Sequence, residues 1–168
     1  DAATQRQLNH NLLLFFTGIT RQSTTVLTEQ RAGIEAHRPL LRAMAAQAGE
    51  GRRALADGRL DVLGELLHEG WMLKRRLASK VSSPEIDAMY EAARRAGAVG
   101  GKLSGAGGGG FLLLYARPQD HQALRAALHG LNELEFNLEP EGSLVLLHGQ
   151  LPHRSGAKSL PWVHQGPR

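Results

Sequence analysis

The sequence predicts an α+β fold, with a small, mostly antiparallel sheet of about four strands and helices packed on one face. Three observations carry this reading. Two short apolar runs, NLLLFF at residues 11–16 and FLLLYA at residues 111–116, have the length of buried strands. Between them, apolar residues recur at helical spacing in separate stretches. Beyond the second run, two strand-like segments flank the turn Glu139-Pro140-Glu141-Gly142.

The elements follow in order. Residues 11–16 form the first strand, ended by Thr17-Gly18, and Thr20 is placed to cap the helix that follows. Val26, Ile34, Leu41, Met44 and Ala48 mark one helical face; Pro39 interrupts it and either kinks the helix or starts a second one. Leu60, Leu63, Leu67, Trp71 and Leu77 mark another amphipathic helix. Ser83-Pro84-Glu85 has the form of a helix start, and that helix turns Ile86, Met89, Tyr90 and Ala93 inward before ending near Gly97. Residues 98–103 form a short strand, residues 105–110 a glycine-rich turn, and residues 111–116 a strand with no polar alternation, expected to be central and buried on both faces. Pro118 opens a helix with Leu124 and Leu128 inward, and residues 135–138 and 143–147 are the last two strands. Residues 1–149 form the domain; residues 150–168, rich in Pro, Gly and basic side chains, form an irregular tail.

Composition narrows the function. The chain has 168 residues, enough for one domain with a sizeable core, and is 42% apolar and 21% charged. No apolar run approaches the ~18 residues of a membrane helix, and DAATQRQLNH has no signal-peptide pattern. The absence of cysteine excludes disulfides, a thiolate zinc site and a cysteine nucleophile. These features suit a cytoplasmic protein with no membrane partner. The net charge of +4 suits anionic metabolites. No aromatic-studded basic strand points to nucleic acid.

The most informative stretch runs from Gly101 to Gly110. Five glycines occupy six positions between two strand candidates. Such a turn can take positive φ and point successive N–H groups at an anion, or it can serve only a tight hairpin. The glycine density favours the anion. Gly105, Gly107 and Gly110 match the dinucleotide spacing, but a strand and not a helix follows them. Lys102 precedes the glycines, so the Walker pattern fails as well. Elsewhere, Thr17, Thr20 and Arg21 either face a sugar phosphate or serve as a cap and a solvated cation. His68 and Glu69 have no second histidine at zinc spacing, Trp71 is assigned to the core, and His37 is read as a satisfied core histidine. The pairs Arg52-Arg53, Arg75-Arg76 and Arg94-Arg95 are read as surface features.

The run KLSGAGGGGFLLL resembles the third conserved motif of the GHMP kinases, the class of galactokinase, homoserine kinase and mevalonate kinase. LLLFFTGITRQSTTVLTEQ, LGELLHEGWMLKRRLAS, SPEIDAMYEAARRAGAVGG and FNLEPEGSLVLLH resemble the bacterial D-glycero-D-manno-heptose 7-phosphate kinase branch. The resemblance implies transfer of the γ-phosphoryl of ATP, with Mg2+, to the anomeric hydroxyl of the heptose phosphate. It implies that Ser104, Gly105, Ala106, Gly107, Gly108 and Gly109 lie beside the nucleotide phosphates. The family's main ATP loop, P-x-x-x-G-L-G-S-S-A, has no counterpart in this sequence, and neither do motifs for the catalytic aspartate or the metal ligand. The expectation is therefore a C-terminal half whose N-terminal ATP-binding domain is absent, inactive alone and prone to self-association. A fucose- or galactose-type kinase half and a non-catalytic binding module are the other readings. Within the complete enzyme, Gly107→Val or Gly108→Val is expected to damage turnover more than folding.

Overall fold

Two adjacent strands organise the molecule, because their sequences leave few alternatives. The structure is a computed structural model that describes residues 1–20, 23–139 and 142. Strand β1 (Leu12–Phe16) pairs antiparallel with β3 (Phe111–Tyr115), with Leu13 opposite Leu114 and Phe15 opposite Leu112. Strand β2 (Gly100–Leu103) joins the far side of β3, and β4 (Asn132–Leu134) joins the far side of β1. The order is β2-β3-β1-β4, so the glycine-rich hairpin β2–β3 supplies one half of the sheet.

The helices are α1 (Ala2–Asn11), α2 (Ser23–Ala32), α3 (Arg38–Ala56), α4 (Leu60–Lys74), α5 (Pro84–Arg95) and α6 (His121–Ala127), the last preceded by a 3-10 turn at Pro118–Asp120. Helix α5 begins as its sequence dictates: Ser83 Oγ accepts from the Ile86 N–H, and Pro84 fills the first helical position. Pro39 lies at the start of α3, so it opens a new helix instead of kinking an old one. Side chains on paired residues share a face, so Leu13, Phe15, Leu103, Leu112 and Leu114 form one side of the sheet. All are buried, in one cluster with Ile86, Tyr90, Ala93, Leu124 and Leu128 from α5, α6 and the turn beyond α6. Each large side chain so buried contributes about 1.5–3 kcal/mol of transfer free energy.

The other side differs from expectation. Residues 111–116 are not buried on both faces: Phe111 and Leu113 are only half-buried, beside half-buried Leu12, Leu14 and Phe16. The strand hides its alternation because both of its faces are apolar while only one is fully covered. The rings of Phe16 and Phe111 meet there across the strands at 5.4 Å. At the β2 edge this second side is closed by α4, whose Gly64 packs on Gly100 and Tyr115.

Further boundaries differ. The last described strand is Asn132–Leu134, and residues 135–138 form no strand. The Leu138 N–H goes to Asn9 Oδ1 at 2.9 Å instead of to a ladder. The expected strand at 143–147 lies outside the described residues. Residues 2–11 form a helix that no apolar stripe announced; Asp1 caps it by accepting from the Thr4 N–H at 2.8 Å. Leu77 is buried but lies past the end of α4, and Thr20 stands three residues before α2 begins, so it is not the cap.

Candidate anion-binding site

The loop between β2 and β3 is shaped by its glycines. Gly105, Gly107, Gly108, Gly109 and Gly110 all have positive φ, at 79°, 113°, 78°, 155° and 92°. Only glycine adopts such a series without strain, and Ala106 alone keeps an ordinary conformation. Ser104 closes the hairpin by donating its N–H to Phe111 O at 2.8 Å.

Two main-chain segments seat the loop. Gly108 donates its N–H to Val81 O at 2.8 Å, and Gly110 donates to Ile19 O at 2.8 Å. A Cβ on Gly107 would stand 2.8 Å from Val81 O, and one on Gly109 would overlap Ile19 O. The seat beneath Gly108 is itself anchored. Glu29 on α2 accepts from the Ser79 N–H and hydroxyl at 2.7 and 2.9 Å, and these bonds hold its carboxyl below the usual range. Asp87 on α5 takes the Arg75 guanidinium at 2.6 Å and the Ser82 hydroxyl at 2.5 Å.

Thr17 has a different task from the one foreseen. It is 3% exposed, and its hydroxyl donates to Gly110 O at 2.8 Å while its N–H donates to the same oxygen at 2.9 Å. Its side chain fastens the loop to the end of β1 and does not face outward. Thr20 is exposed close by, and Arg21 lies outside the described residues. Among the described residues, no hydrogen bond engages the N–H groups of Gly105, Ala106, Gly107 and Gly109. These are the donors open to an anion; the Gly108 and Gly110 donors are consumed inside the fold.

Two lysines, Lys74 at the end of α4 and Lys102 on β2, lie beside the loop. Lys74 Nζ donates to Gly105 O and, at 3.4 Å, to Leu103 O. Burial, and then the charge of Lys102, pushes Lys74 below the usual lysine range. A lysine at a helix C-terminus is ordinarily a solvated cation, so nothing in the sequence singles out Lys74. Arg52, Arg53, Arg76 and Arg95 are exposed as read, but Arg75 and Arg94 are more than surface: Arg75 pairs with Asp87, and Arg94 donates to the carbonyls of Ala98 and Val99, fixing the turn into β2. Trp71 is core, 1% exposed, but its indole nitrogen finds no hydrogen-bond partner among the described residues. His68 Nδ1 meets the Tyr90 hydroxyl at 2.8 Å, and the Nδ1 of His37 has no such partner among the described residues.

The chemistry available here is anion binding: free main-chain donors, a rigid seat and two ammonium groups. Among the described residues, no three His, Asp or Glu side chains come together to hold a metal ion. The carboxylates that anchor the seat, Glu29 and Asp87, are engaged by Ser79 and by Arg75 and Ser82.

This fold and loop are those of a small-molecule kinase domain. The GHMP kinases C terminal family matches residues 52–134, and the chain belongs to that family. It is similar to D-glycero-alpha-D-manno-heptose 7-phosphate kinase of Campylobacter jejuni, 30% identical over 124 residues that cover 73% of this chain and 37% of that protein. It is also similar to the L-fucokinase/L-fucose-1-P guanylyltransferase of Bacteroides fragilis, 32% identical over 121 residues covering 69% of this chain and 13% of that protein. Among solved structures, the mevalonate kinase of L. major in complex with R-mevalonate superposes with a TM-score of 0.62 at 26% identity, covering 71% of this chain and 37% of that one. The chain thus spans well under half the length of the relatives it matches. Among the described residues, no helix is long and apolar enough to cross a membrane.

Proposed function

We propose that this chain is the C-terminal part of an ATP-dependent sugar kinase acting on D-glycero-D-manno-heptose 7-phosphate. The complete enzyme transfers the γ-phosphoryl of ATP to the anomeric hydroxyl, in the synthesis of nucleotide-activated heptose. One observation carries the reading. The positive-φ glycine loop is held by Val81, Ile19 and Thr17 in a form that leaves the Gly105, Ala106, Gly107 and Gly109 donors unengaged. Phosphoryl transfer depends on positioning and on charge stabilisation, which such donors supply. In this reading residues 1–149 form the C-terminal domain, and an N-terminal domain contributes the main nucleotide loop. In this reading the Mg2+ ligands and the catalytic carboxylate belong to that other domain, in keeping with the lack of any cluster of three His, Asp or Glu side chains among the described residues. Ser104, Ala106 and the glycines would brace the phosphates, and Thr20 and Arg21 are the candidates to contact the sugar phosphate.

A second reading rests on the fucokinase relative, which matches at similar identity: a fucose-type kinase half. ADP release measured with heptose 7-phosphate, fucose and galactose separates the two. The complete natural chain is expected to turn over heptose 7-phosphate at about 1 per second or faster, while the 168-residue chain alone turns over none of them. Preference for fucose would move the assignment to the second reading. No ADP release from the complete chain with any sugar would leave a non-catalytic module.

A further inference from the structure

We propose that Lys74 is a positioning residue of this phosphate site: by holding the carbonyls of Leu103 and Gly105, it turns the Ala106 N–H toward the bound anion. The inference rests on the phosphate-loop reading. It starts from the planarity of the peptide unit, in which the C=O and the following N–H point to opposite sides. The Gly105 carbonyl accepts from Lys74 Nζ. The Ala106 N–H must then point away from α4, and no hydrogen bond among the described residues engages it. The Leu103 carbonyl, which also faces Lys74, obeys the same geometry: the next N–H, of Ser104, points away and donates to Phe111 O. Lys74 thus holds the Leu103–Ser104 and Gly105–Ala106 peptides, which bracket the Ser104–Gly105 peptide between them.

The surroundings fit a positioning role better than a surface role. The lysine is the last residue of α4, and that helix cannot slide, because Gly64 is seated directly on Gly100. Lys74 lines a cleft of about 480 Å3 with Leu63, Leu67 and Trp71, so its apolar stem has apolar walls and its ammonium reaches the loop. Among the described residues, no carboxylate pairs with Lys74 or Lys102. An acidic partner would draw the ammonium off the carbonyls and cancel its charge. Instead two positive groups remain beside the loop, which favours an incoming polyphosphate.

The test uses the 15N-labelled 168-residue chain with inorganic tripolyphosphate as probe, following the Ala106 amide by NMR. In the wild type, tripolyphosphate is expected to shift the amides of Gly105, Ala106, Gly107 and Gly109. Lys74→Met should move the Ala106 amide in the free protein and weaken binding by about tenfold, the effect of one lost charge-assisted hydrogen bond. Lys74→Arg, whose guanidinium can donate to the same carbonyls, should restore most of both. Lys102→Met should weaken binding without moving the free Ala106 amide. If Lys74→Met binds as the wild type does while the loop amides still respond, the role of Lys74 is refuted and the loop reading stands. If Lys74→Arg behaves like Lys74→Met, positioning is refuted in favour of a dependence on the ammonium itself. If wild-type loop amides do not respond at all, the loop reading falls and the inference with it. A wild-type measurement covers the case in which Lys74→Met does not fold. The Lys74 ammonium protons should exchange with water about tenfold more slowly than those of exposed Lys80, as held donors do. Equal rates would overturn the proposal.

Discussion

Gly64 on α4 and Gly100 on β2 touch main chain to main chain: a Cβ on Gly100 would overlap the carbonyl oxygen of Gly64. A Cβ on Gly64 would in turn stand 2.5 Å from the Tyr115 ring. The helix carrying Lys74 therefore lies on the sheet at the closest distance a peptide backbone allows.

Gly100→Ala should cost about 3 kcal/mol or more, because the obstacle is backbone that cannot rotate away. Gly49→Ala is the control: it is helical, with nothing within 4 Å of the added carbon, and should stabilise by about 0.5–1 kcal/mol. Urea unfolding of both variants measures the contrast, and equal midpoints would mean that α4 can shift to admit a side chain.

Substitutions within the loop should separate into two kinds. The structure reverses the expectation for Gly107→Val, since its Cβ meets Val81 O and folding suffers first. Gly108→Val should behave alike, because its N–H is already bound to Val81 and its φ is 78°. Gly105 has a φ of 79° but open space around it. Gly105→Asn, a residue that tolerates this conformation, should lower the thermal midpoint little and reduce tripolyphosphate affinity by about tenfold. Thermal melts and binding on the same preparations check this.

Tyr115 links three elements: its hydroxyl accepts from Asn11 Nδ2 at 2.8 Å and donates to Asp61 Oδ1 at 3.1 Å. Tyr115→Phe should cost about 1–3 kcal/mol, because the 4%-exposed Asn11 amide is left without that acceptor. Equilibrium urea titration gives the value, and a change below about 0.5 kcal/mol would show that another group replaces it.

Acid should weaken the fold through His68. Burial first, and then the charge of Arg94, lowers its pKa below 6.5, while Glu91 and Glu69 oppose the shift. The unfolded chain binds the proton first, so this contribution is full above about pH 6.5 and is lost as pH falls toward the lower folded value. The partner Tyr90, pushed up to about 12 by burial, stays neutral throughout. Urea midpoints across this range should fall with acid in the wild type, and less steeply in His68→Gln.

Alkali should act on Lys74. Burial and Lys102 depress its pKa, so its charge is lost at a lower pH than that of an ordinary lysine, near 10.5. Tripolyphosphate affinity should decline on that side before exposed lysines titrate, and the early part of the decline should vanish in Lys74→Met. An unchanged profile in the variant would detach the effect from this residue.

The sequence made some features plain and hid others for physical reasons. NLLLFF, FLLLYA and Ser83-Pro84 announce their elements because burial and capping are local properties. Helix α1 lacks an apolar stripe and depends on Asp1 as its cap, so periodicity could not find it. The last strand was misplaced because Leu134, Phe136 and Leu138 alternate equally well through 135–138, and only pairing of Leu134 with Leu14 fixes the register. The loop was legible through its glycine density. Its seat was not, because Val81 and Ile19 act through main-chain carbonyls, which any residue carries. The adjacent Gly100-Gly101 was the one available sign of the close approach to α4.

The Thr17 hydroxyl and the Gly110 carbonyl that it holds are 93 residues apart in sequence. Contacts of such long range close late, because their loop entropy must be met before they add stability. The loop acquires its shape only when the two ends of the domain and the turn at Val81 have met. Local structure in the hairpin cannot preform it. During refolding, anion binding should therefore appear with the slowest phase, after helical signal has recovered, and it can serve as a reporter of completed assembly.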